Sequence, residues 1–344
     1  MSIFDAKMNK YLLYIYTFLS VISVSSCDNK VDINAPYSEI PIVYGMIDVG
    51  EDQHYIRIEK AFQNSDNLSS ANITQIPDSL YFDTLVVKLF DANNPSNFVT
   101  LERYDGAKYP KDSGTFSTMR NTLYTTLTLP TTIGALRLEI FNPKSGKTYT
   151  ANTDIIRGGD FTSFGSNRNI AINESSSRVI QYVFNKGENA HMYDMFVRLY
   201  YKEMNVADTT ISEDKTLDFY LAKGYLANAW FPYRNCSTCL NKIPWIEFLR
   251  FLPKALKRDD TKVRRVTNIT YSAYGGSRDF ADLQELTKPV VGFVQRNTEY
   301  SNIKVNGKQI GIGIFTSRNY LYEEQALIDS SLFFIAKYGP NFIY

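Results

Sequence analysis

The closest spacing of reactive side chains in this sequence is Cys236-Ser237-Thr238-Cys239, where two thiols stand three residues apart. This spacing is typical of thiol–disulfide exchange, in which one cysteine attacks and the other resolves. It also suits half of a zinc site, although a complete site needs further ligands. In an oxidising compartment we favour a local disulfide between Cys236 and Cys239, with redox exchange and metal binding as the alternatives.

Acid–base chemistry would depend on two histidines, His54 and His191. A Ser-His-Asp hydrolase would have to use one of them, but the sequence contains no Gly-x-Ser-x-Gly nucleophile elbow. Adjacent carboxylates on one strand point in opposite directions, so the acidic doublets do not supply the facing pair of a glycosidase. We therefore interpret both histidines as exposed polar residues. The sequence predicts no catalytic residue, metal site or cofactor, and the chain is predicted not to be an enzyme.

Two further features could bind a ligand. Trp230 and Trp245 lie on either side of the cysteine pair and, if exposed, could stack against a glycan. A basic cluster follows them and could contact lipid headgroups or an acidic partner. A solvated helix end with its following loop is the favoured interpretation of that cluster. It consists of Lys254, Lys257, Arg258, Lys262, Arg264 and Arg265.

Composition narrows the classes of function. The chain has 344 residues, with 37 Lys and Arg against 36 Asp and Glu, which excludes a polybasic protein that seeks nucleic acid by charge alone. Hydrophobic residues make up 44% of the chain, an ordinary value for a folded globular protein. The 25 tyrosines and 22 phenylalanines suit interaction surfaces and β-sheet cores equally.

The N-terminal residues predict export and lipidation. Lys7 and Lys10 precede an uncharged stretch, residues 11–24, which is too short to span a bilayer. The stretch ends in Val24-Ser25-Ser26-Cys27, which resembles a bacterial lipobox. That resemblance implies cleavage before Cys27 and acylation of its thiol and new amine, whereas an ordinary signal peptide is the alternative. We expect a signal peptide over 1–26, a tether over 27–38, and anchorage in the outer membrane, with the cell-surface face favoured over the periplasmic face.

The rest of the chain is predicted to be mainly β. Residues 54–60 alternate with a period of two, as expected for a half-buried strand, and similar short strands recur through the first half. They predict an immunoglobulin-like β-sandwich over 39–157. Residues 158–344 are predicted to form a β-rich (α+β) domain with short helices near Pro244 and over 279–287. Asn306-Gly307 predicts a tight hairpin.

One segment is similar to a known group of proteins. Tyr300-Ser301-Asn302-Ile303, followed by a glycine-rich strand over 311–318 that ends in Ser317-Arg318, resembles an element near the C-terminus of Bacteroidota lipoproteins of the DUF4249 kind. The segment Val43-Tyr44-Gly45-Met46-Ile47 fits the same outline. The resemblance implies a β-rich, two-part outer-membrane lipoprotein and transfers no functional residue.

Three functions compete on this basis. The favoured one is a non-catalytic accessory or scaffold lipoprotein that binds a protein partner in the cell envelope, such as an outer-membrane transport, secretion or assembly complex. The alternatives are a glycan-binding surface lipoprotein, which would use Trp230 and Trp245, and a surface hydrolase.

Overall fold

A computed structural model describes residues 38–62, 74–105, 111–112, 114, 116–161, 170–226, 238–287, 300–309 and 311–344. The signal peptide, Cys27 and the predicted tether up to residue 37 therefore lie outside the described residues. The strands of the first half are β1 Pro41–Asp48, β2 His54–Lys60, β3 Val86–Asp91, β4 Phe98–Thr100, β5 Glu102–Asp105, β6 Thr122–Thr126, β7 Ala135–Asn142 and β8 Lys147–Asp154.

The second half contributes further strands and most of the helical residues. Its strands are β9 Asp160–Phe161, β10 Val179–Asn185, β11 Met192–Asn205, β12 Asp208–Leu226, β13 Thr238–Pro244, β14 Lys262–Gly276, β15 Lys304–Val305, β16 Lys308–Gln309 and β17 Ile312–Gln325. The described helices are α1 Pro77–Leu80, α2 Trp245–Ala255, α3 Arg278–Thr287 and α4 Asp329–Tyr338. The prediction of a mainly β protein is thus confirmed.

An eight-stranded sheet is the largest element of the fold. Its strand order is β12-β11-β14-β17-β1-β2-β6-β5, so strands from both predicted domains lie side by side. The junction is the pairing of β1 with β17, which run parallel with Val43 opposite Gly313. Because of this shared sheet, Glu39–Tyr344 forms one compact unit.

Two smaller sheets complete the unit. A six-stranded sheet has the order β16-β15-β8-β7-β3-β4, and a three-stranded sheet has the order β13-β10-β9. The strands of residues 39–157 thus occur as β1-β2-β6-β5 in one sheet and β8-β7-β3-β4 in another. Their immunoglobulin-like topology stays a prediction.

The unit contains two apolar cores. Ile155 belongs to the first core and Ile156 to the second, so the chain passes from one core to the other between these residues. The first joins inward side chains of β1 and β2, such as Val43 and Ile56, to those of the six-stranded sheet. Phe315, from the far end of the chain, is also fully buried there. The second core lies between the other half of the eight-stranded sheet and the helices α2 and α4. The division falls close to the predicted boundary after residue 157.

Local sequence signals account for several elements. The period of two in β2 places Ile56 and Ile58 in the first core. The apolar residues of α2 recur at helical spacing and face the second core. Asn306 and Gly307 both have positive φ, as a tight hairpin between β15 and β16 requires. These predictions are confirmed, whereas α4 was not predicted.

Candidate interaction face

The face of the eight-stranded sheet that points away from the cores is the candidate site. Along β17, Phe315 and Leu321 pack towards the cores, so Tyr320 and Tyr322 face the other way. By the same alternation, Phe219 of β12 and Ala273 of β14 are core residues. Their neighbours in the chain therefore share the outer face with Tyr320.

Five aromatic rings cross this outer face as a continuous ladder, which we call the tyrosine ladder. It runs over four adjacent strands and consists of Tyr220, Phe196, Tyr274, Tyr320 and Tyr322. Successive ring centroids are 5.1, 5.4, 4.8 and 5.4 Å apart, with interplanar angles of 37°, 28°, 32° and 18°. Each inner ring therefore has another ladder ring on either side.

Cationic side chains lie over the ladder. The Arg198 guanidinium is 5.0 Å from the Phe196 ring centroid, and Arg318 is 5.0 Å from that of Tyr274. At the β12 end, the Lys223 ammonium lies 3.8 Å from the Tyr220 centroid. These distances suit cation–π attraction, which stabilises the ladder and covers ring surface.

Arg198 is fixed by a bidentate ion pair. Its Nε and Nη2 donate to the two carboxylate oxygens of Asp218 at 2.7 and 2.9 Å. The two residues are cross-strand partners in β11 and β12, so the pair also holds the edge strand in register. The hydrogen bonds that Arg198 donates to Asp218 raise the pKa of Arg198 above its ordinary value, which keeps the guanidinium charged.

A chain of hydroxyl groups runs between the rings. Thr270 and Ser272 share a hydrogen bond of 2.9 Å, and Ser272 shares another of 2.9 Å with the Tyr320 hydroxyl. Burial raises the pKa of Tyr320, although Ser272 and Arg198 oppose that effect. Burial also raises the pKa of Tyr220. Both phenols are therefore protonated at neutral pH and can donate hydrogen bonds.

Exposure varies along the face. Phe196 is fully buried beneath its neighbours, whereas Tyr322 at the open end is 57% exposed. Tyr44 of β1 is also exposed beyond β17. At the other end, α3 packs against the sheet, where a Cβ on Gly276 would overlap Phe280. The face is thus bounded by a helix on one side and open towards β1.

An acidic residue lies at the margin of this face. Asp48 is opposite Arg318 across β1 and β17, and the Arg318 Nε lies 3.5 Å from a carboxylate oxygen of Asp48. Burial raises the pKa of Asp48, while the Gly50 backbone N–H and Arg318 act in the opposite direction. Asp48 therefore helps to place Arg318 over the ladder.

The structure corrects the prediction for Trp245. Its indole is only 3% exposed and packs edge to face against Phe248 and Tyr271 at the start of α2. A ring enclosed in the second core cannot stack against a glycan, so this part of the glycan-binding prediction is wrong. Trp230 lies outside the described residues.

Only one of the three cysteines lies in the described part of the chain. Cys239 lies in β13 opposite Phe184 of β10, and its side chain is not described. Cys236 lies outside the described residues, as does Cys27. The disulfide and the lipidation both stay predictions.

The histidines are positioned differently from each other. His54 is buried, so its interpretation as an exposed residue is wrong. Burial lowers its pKa, while Asp48 and Glu51 act in the opposite direction. His191 is half-buried, and burial followed by the charges of Lys186 and Arg278 lowers its pKa. Both rings are therefore neutral at pH 7.

The basic cluster is not a uniform solvated patch. Arg264 is buried, donates to Glu203 at 2.9 Å, and donates to the carbonyl oxygens of Lys257 and Pro340. Arg258 pairs with Asp260 at 2.9 Å on the surface. Arg264 thus ties the C-terminal segment to β11, and its assignment to solvent is wrong.

Comparisons with known proteins assign no family. No family profile matches the chain, and no curated protein is significantly similar to it. Within the described ranges, no helix has the length and apolar character needed to cross a membrane. Nor do three or more His, Cys, Asp or Glu side chains of those ranges group closely enough to hold a metal ion.

The tyrosine ladder is not evident from the sequence pattern. Its members lie on four strands, of which only β11 and β12 are consecutive in the chain, and each strand carries only one or two of them. The available signal was Tyr320-Leu321-Tyr322, an alternation that places two tyrosines on one face of a strand.

Proposed function

We propose that this chain is a non-catalytic protein of the cell envelope that binds a protein partner through the tyrosine ladder. It is anchored to the outer membrane through lipid on Cys27 and acts as an accessory or scaffold subunit at the cell-surface face. The anchor rests on the lipobox resemblance, and the binding role rests on the outer sheet face.

The orientation of the rings is the observation that carries the binding role. Sugars stack on open ring faces, but each inner ring of the ladder lies between two other rings and has an arginine over it. The ladder thus offers tyrosine and arginine side chains with little open ring face between them. Tyrosine and arginine are enriched at the energetic centres of protein interfaces, partly because a tyrosine loses little rotamer entropy when it is buried. A protein partner therefore fits this face better than a polysaccharide.

Affinity purification from native membranes tests the proposal. A tag at Tyr344 suits the experiment because this residue is 71% exposed. We expect stoichiometric recovery of an outer-membrane protein with the unaltered chain. Tyr322→Ala should reduce that recovery more than tenfold, since loss of an aromatic side chain that anchors an interface costs upwards of about 2 kcal/mol.

The matched control is Phe333→Ala on α4. Phe333 is 54% exposed, close to the exposure of Tyr322, but its helix packs against the second core on the other side of the sheet. This variant should recover the partner normally. Equal recovery with all three proteins, or recovery of the chain alone in every detergent, would contradict the proposal.

A further inference from the structure

Two segments outside the sheets pack together at one end of the compact unit. The Ser117 N–H donates to the Thr74 carbonyl oxygen at 2.9 Å, and the Tyr81 hydroxyl donates to the Arg120 carbonyl oxygen at 3.1 Å. Arg120 also pairs with Asp78 at 2.7 Å. These contacts fix the loop before β6 against α1 and against Thr74, three residues before that helix.

Three apolar side chains from these segments point into solvent. Met119 is 85% exposed, Phe116 is 52% exposed and Ile76 is 43% exposed. We call them the apolar loop cluster. The backbone beneath them is held by buried groups such as Ser117, so their exposure belongs to a packed loop. Exposed apolar side chains gathered on adjacent packed segments are typical of a site that contacts a partner or a membrane.

This cluster lies at the end of the unit where the chain enters from Cys27. Glu39 accepts hydrogen bonds from Asn142 at 2.9 Å and Ser145 at 3.1 Å, and also from Tyr149, which places the entry point at the β7–β8 turn. In the other sheet, the Ala61 N–H donates to the Ile40 carbonyl oxygen at 2.9 Å.

The loop of the apolar cluster is tied to this same end. Lys111 pairs with Glu59 at 3.1 Å, and Glu59 lies opposite Ile42 at the start of β1. β6, which follows Met119, runs away from this end and finishes at Thr126, opposite His54 at the start of β2. Met119 and Leu127 therefore lie at opposite ends of one strand.

The length of chain that leads to Cys27 limits how far this end can be from a membrane. Even fully extended, residues 27–38 span at most about 40 Å. Lys60, Lys144 and Lys147 lie at the same end, since Lys60 is opposite Pro41 and the other two flank the β7–β8 turn. Lys144 is paired there with Asp83. Lysine side chains at the same end as exposed apolar ones suit the headgroup region of a bilayer, where phosphates lie above the acyl chains.

We propose that the apolar loop cluster inserts into the bilayer surface that holds the lipid anchor. The inference rests on the proposed anchor at Cys27 and adds a second, protein-borne contact. With this end against the lipid, Met119 and Phe116 lie among the headgroups and Leu127 points away from the membrane. The acyl chains keep the protein at the surface, and the cluster sets its orientation.

Hydroxyl-radical footprinting of the full lipoprotein tests the orientation without altering the cluster. The protein is reconstituted into vesicles of phosphatidylethanolamine and phosphatidylglycerol at 7:3, and oxidation of each side chain is read by mass spectrometry. The reference is the unacylated Cys27→Ser chain in the same vesicle suspension. The matched internal control is Leu127, which is 71% exposed at the opposite end.

The expected result is a decrease of at least fivefold in the oxidation of Met119 and Phe116 in the acylated protein, with Leu127 unchanged. Oxidation of Met119 at the same rate in both proteins, or equal protection of Leu127, would overturn the orientation alone. The mass of the N-terminal peptide is measured on the same sample. An unmodified Cys27 would overturn the anchor, on which the orientation and the proposed localisation both depend.

Discussion

At the scale of single residues, the charged side chain of Glu39 stabilises the start of the compact unit. Burial would raise the pKa of its carboxyl, but hydrogen bonds from Tyr149, Asn142 and Ser145 together with the charge of Lys147 lower it overall. The carboxylate thus ties the first residues of the compact unit to the β7–β8 turn. A carboxyl whose pKa is lowered on folding stabilises the fold above its unfolded pKa, and this contribution disappears as the pH falls through the folded pKa.

Glu39→Gln should therefore remove a pH-dependent part of the stability. We expect the variant to lose about 1 kcal/mol of unfolding free energy at pH 7, a value discounted for partial exposure. The difference from the unaltered protein should shrink as the pH is lowered below the ordinary pKa of a glutamate. Urea unfolding at a series of pH values measures it. Glu102→Gln, at an exposed position on β5, is the control, and an unchanging difference across the series would contradict the role given to Glu39.

At the scale of elements, the segment that carries the family resemblance is structural. The Asn302 side chain donates to the Phe315 carbonyl oxygen at 2.7 Å and accepts from the Phe315 N–H at 3.0 Å, so it acts as a strand partner for β17. Ser317 accepts a hydrogen bond from the Ile156 N–H, which fixes the chain where the two cores meet. The Asn and Ser residues of this segment are therefore explained by their hydrogen bonds to and from β17.

Gly313 permits the closest approach between two elements. Its φ is 95°, and a Cβ at this position would overlap the Val43 carbonyl oxygen on β1. Both the backbone conformation and the lack of space exclude a larger residue. The parallel contact between β1 and β17 therefore depends on glycine here.

Gly313→Ala should lower the unfolding free energy by at least about 3 kcal/mol, because conformational strain and steric overlap add. Gly146→Ala is the matched control, since Gly146 also has a positive φ, of 68°, but no heavy atom would lie within 4 Å of its Cβ. That variant should lose only about 1 kcal/mol. Denaturant unfolding compares the two, and equal losses would show that the approach to Val43 does not matter.

At the scale of the whole molecule, the two cores are not two independent folding units. The core of residues 39–157 contains Ile303 and Phe315, both fully buried, and one side of β1 is occupied by β17. A fragment that ends at residue 157 would leave that side of the strand unpaired and that part of the core empty. Shared elements of this kind make the two halves depend on each other.

Residues 39–157 expressed alone should therefore show no cooperative thermal transition. Residues 39–344, the matched control, should unfold in a single transition or in two closely coupled ones. Circular dichroism and calorimetry of the two proteins measure this. A cooperative transition in the short fragment would establish that the first half folds without β17.

Elements whose determining interactions are local can be predicted from the sequence. The Asn306-Gly307 hairpin and the helix that starts at Trp245 each depend on residues that are close together in the chain. The burial of Trp245 cannot be predicted in this way, because residue type does not reveal which side of a helix packs into a core. The burial of Arg264 cannot be predicted either, because its partner, Glu203, lies on another strand. The tyrosine ladder required the strand order, which no single segment contains.

β1 and β17 are far apart in the sequence, so they become available at different times in a chain that is synthesised from the N-terminus. Of the described strands, β1 is synthesised first, and nearly the whole compact unit must follow before its parallel partner is available. During that interval its free N–H and C=O groups and its apolar side can pair with any other extended chain. Contacts of such high sequence separation also form slowly. The topology therefore leaves one edge of β1 open to mispairing until β17 has been synthesised.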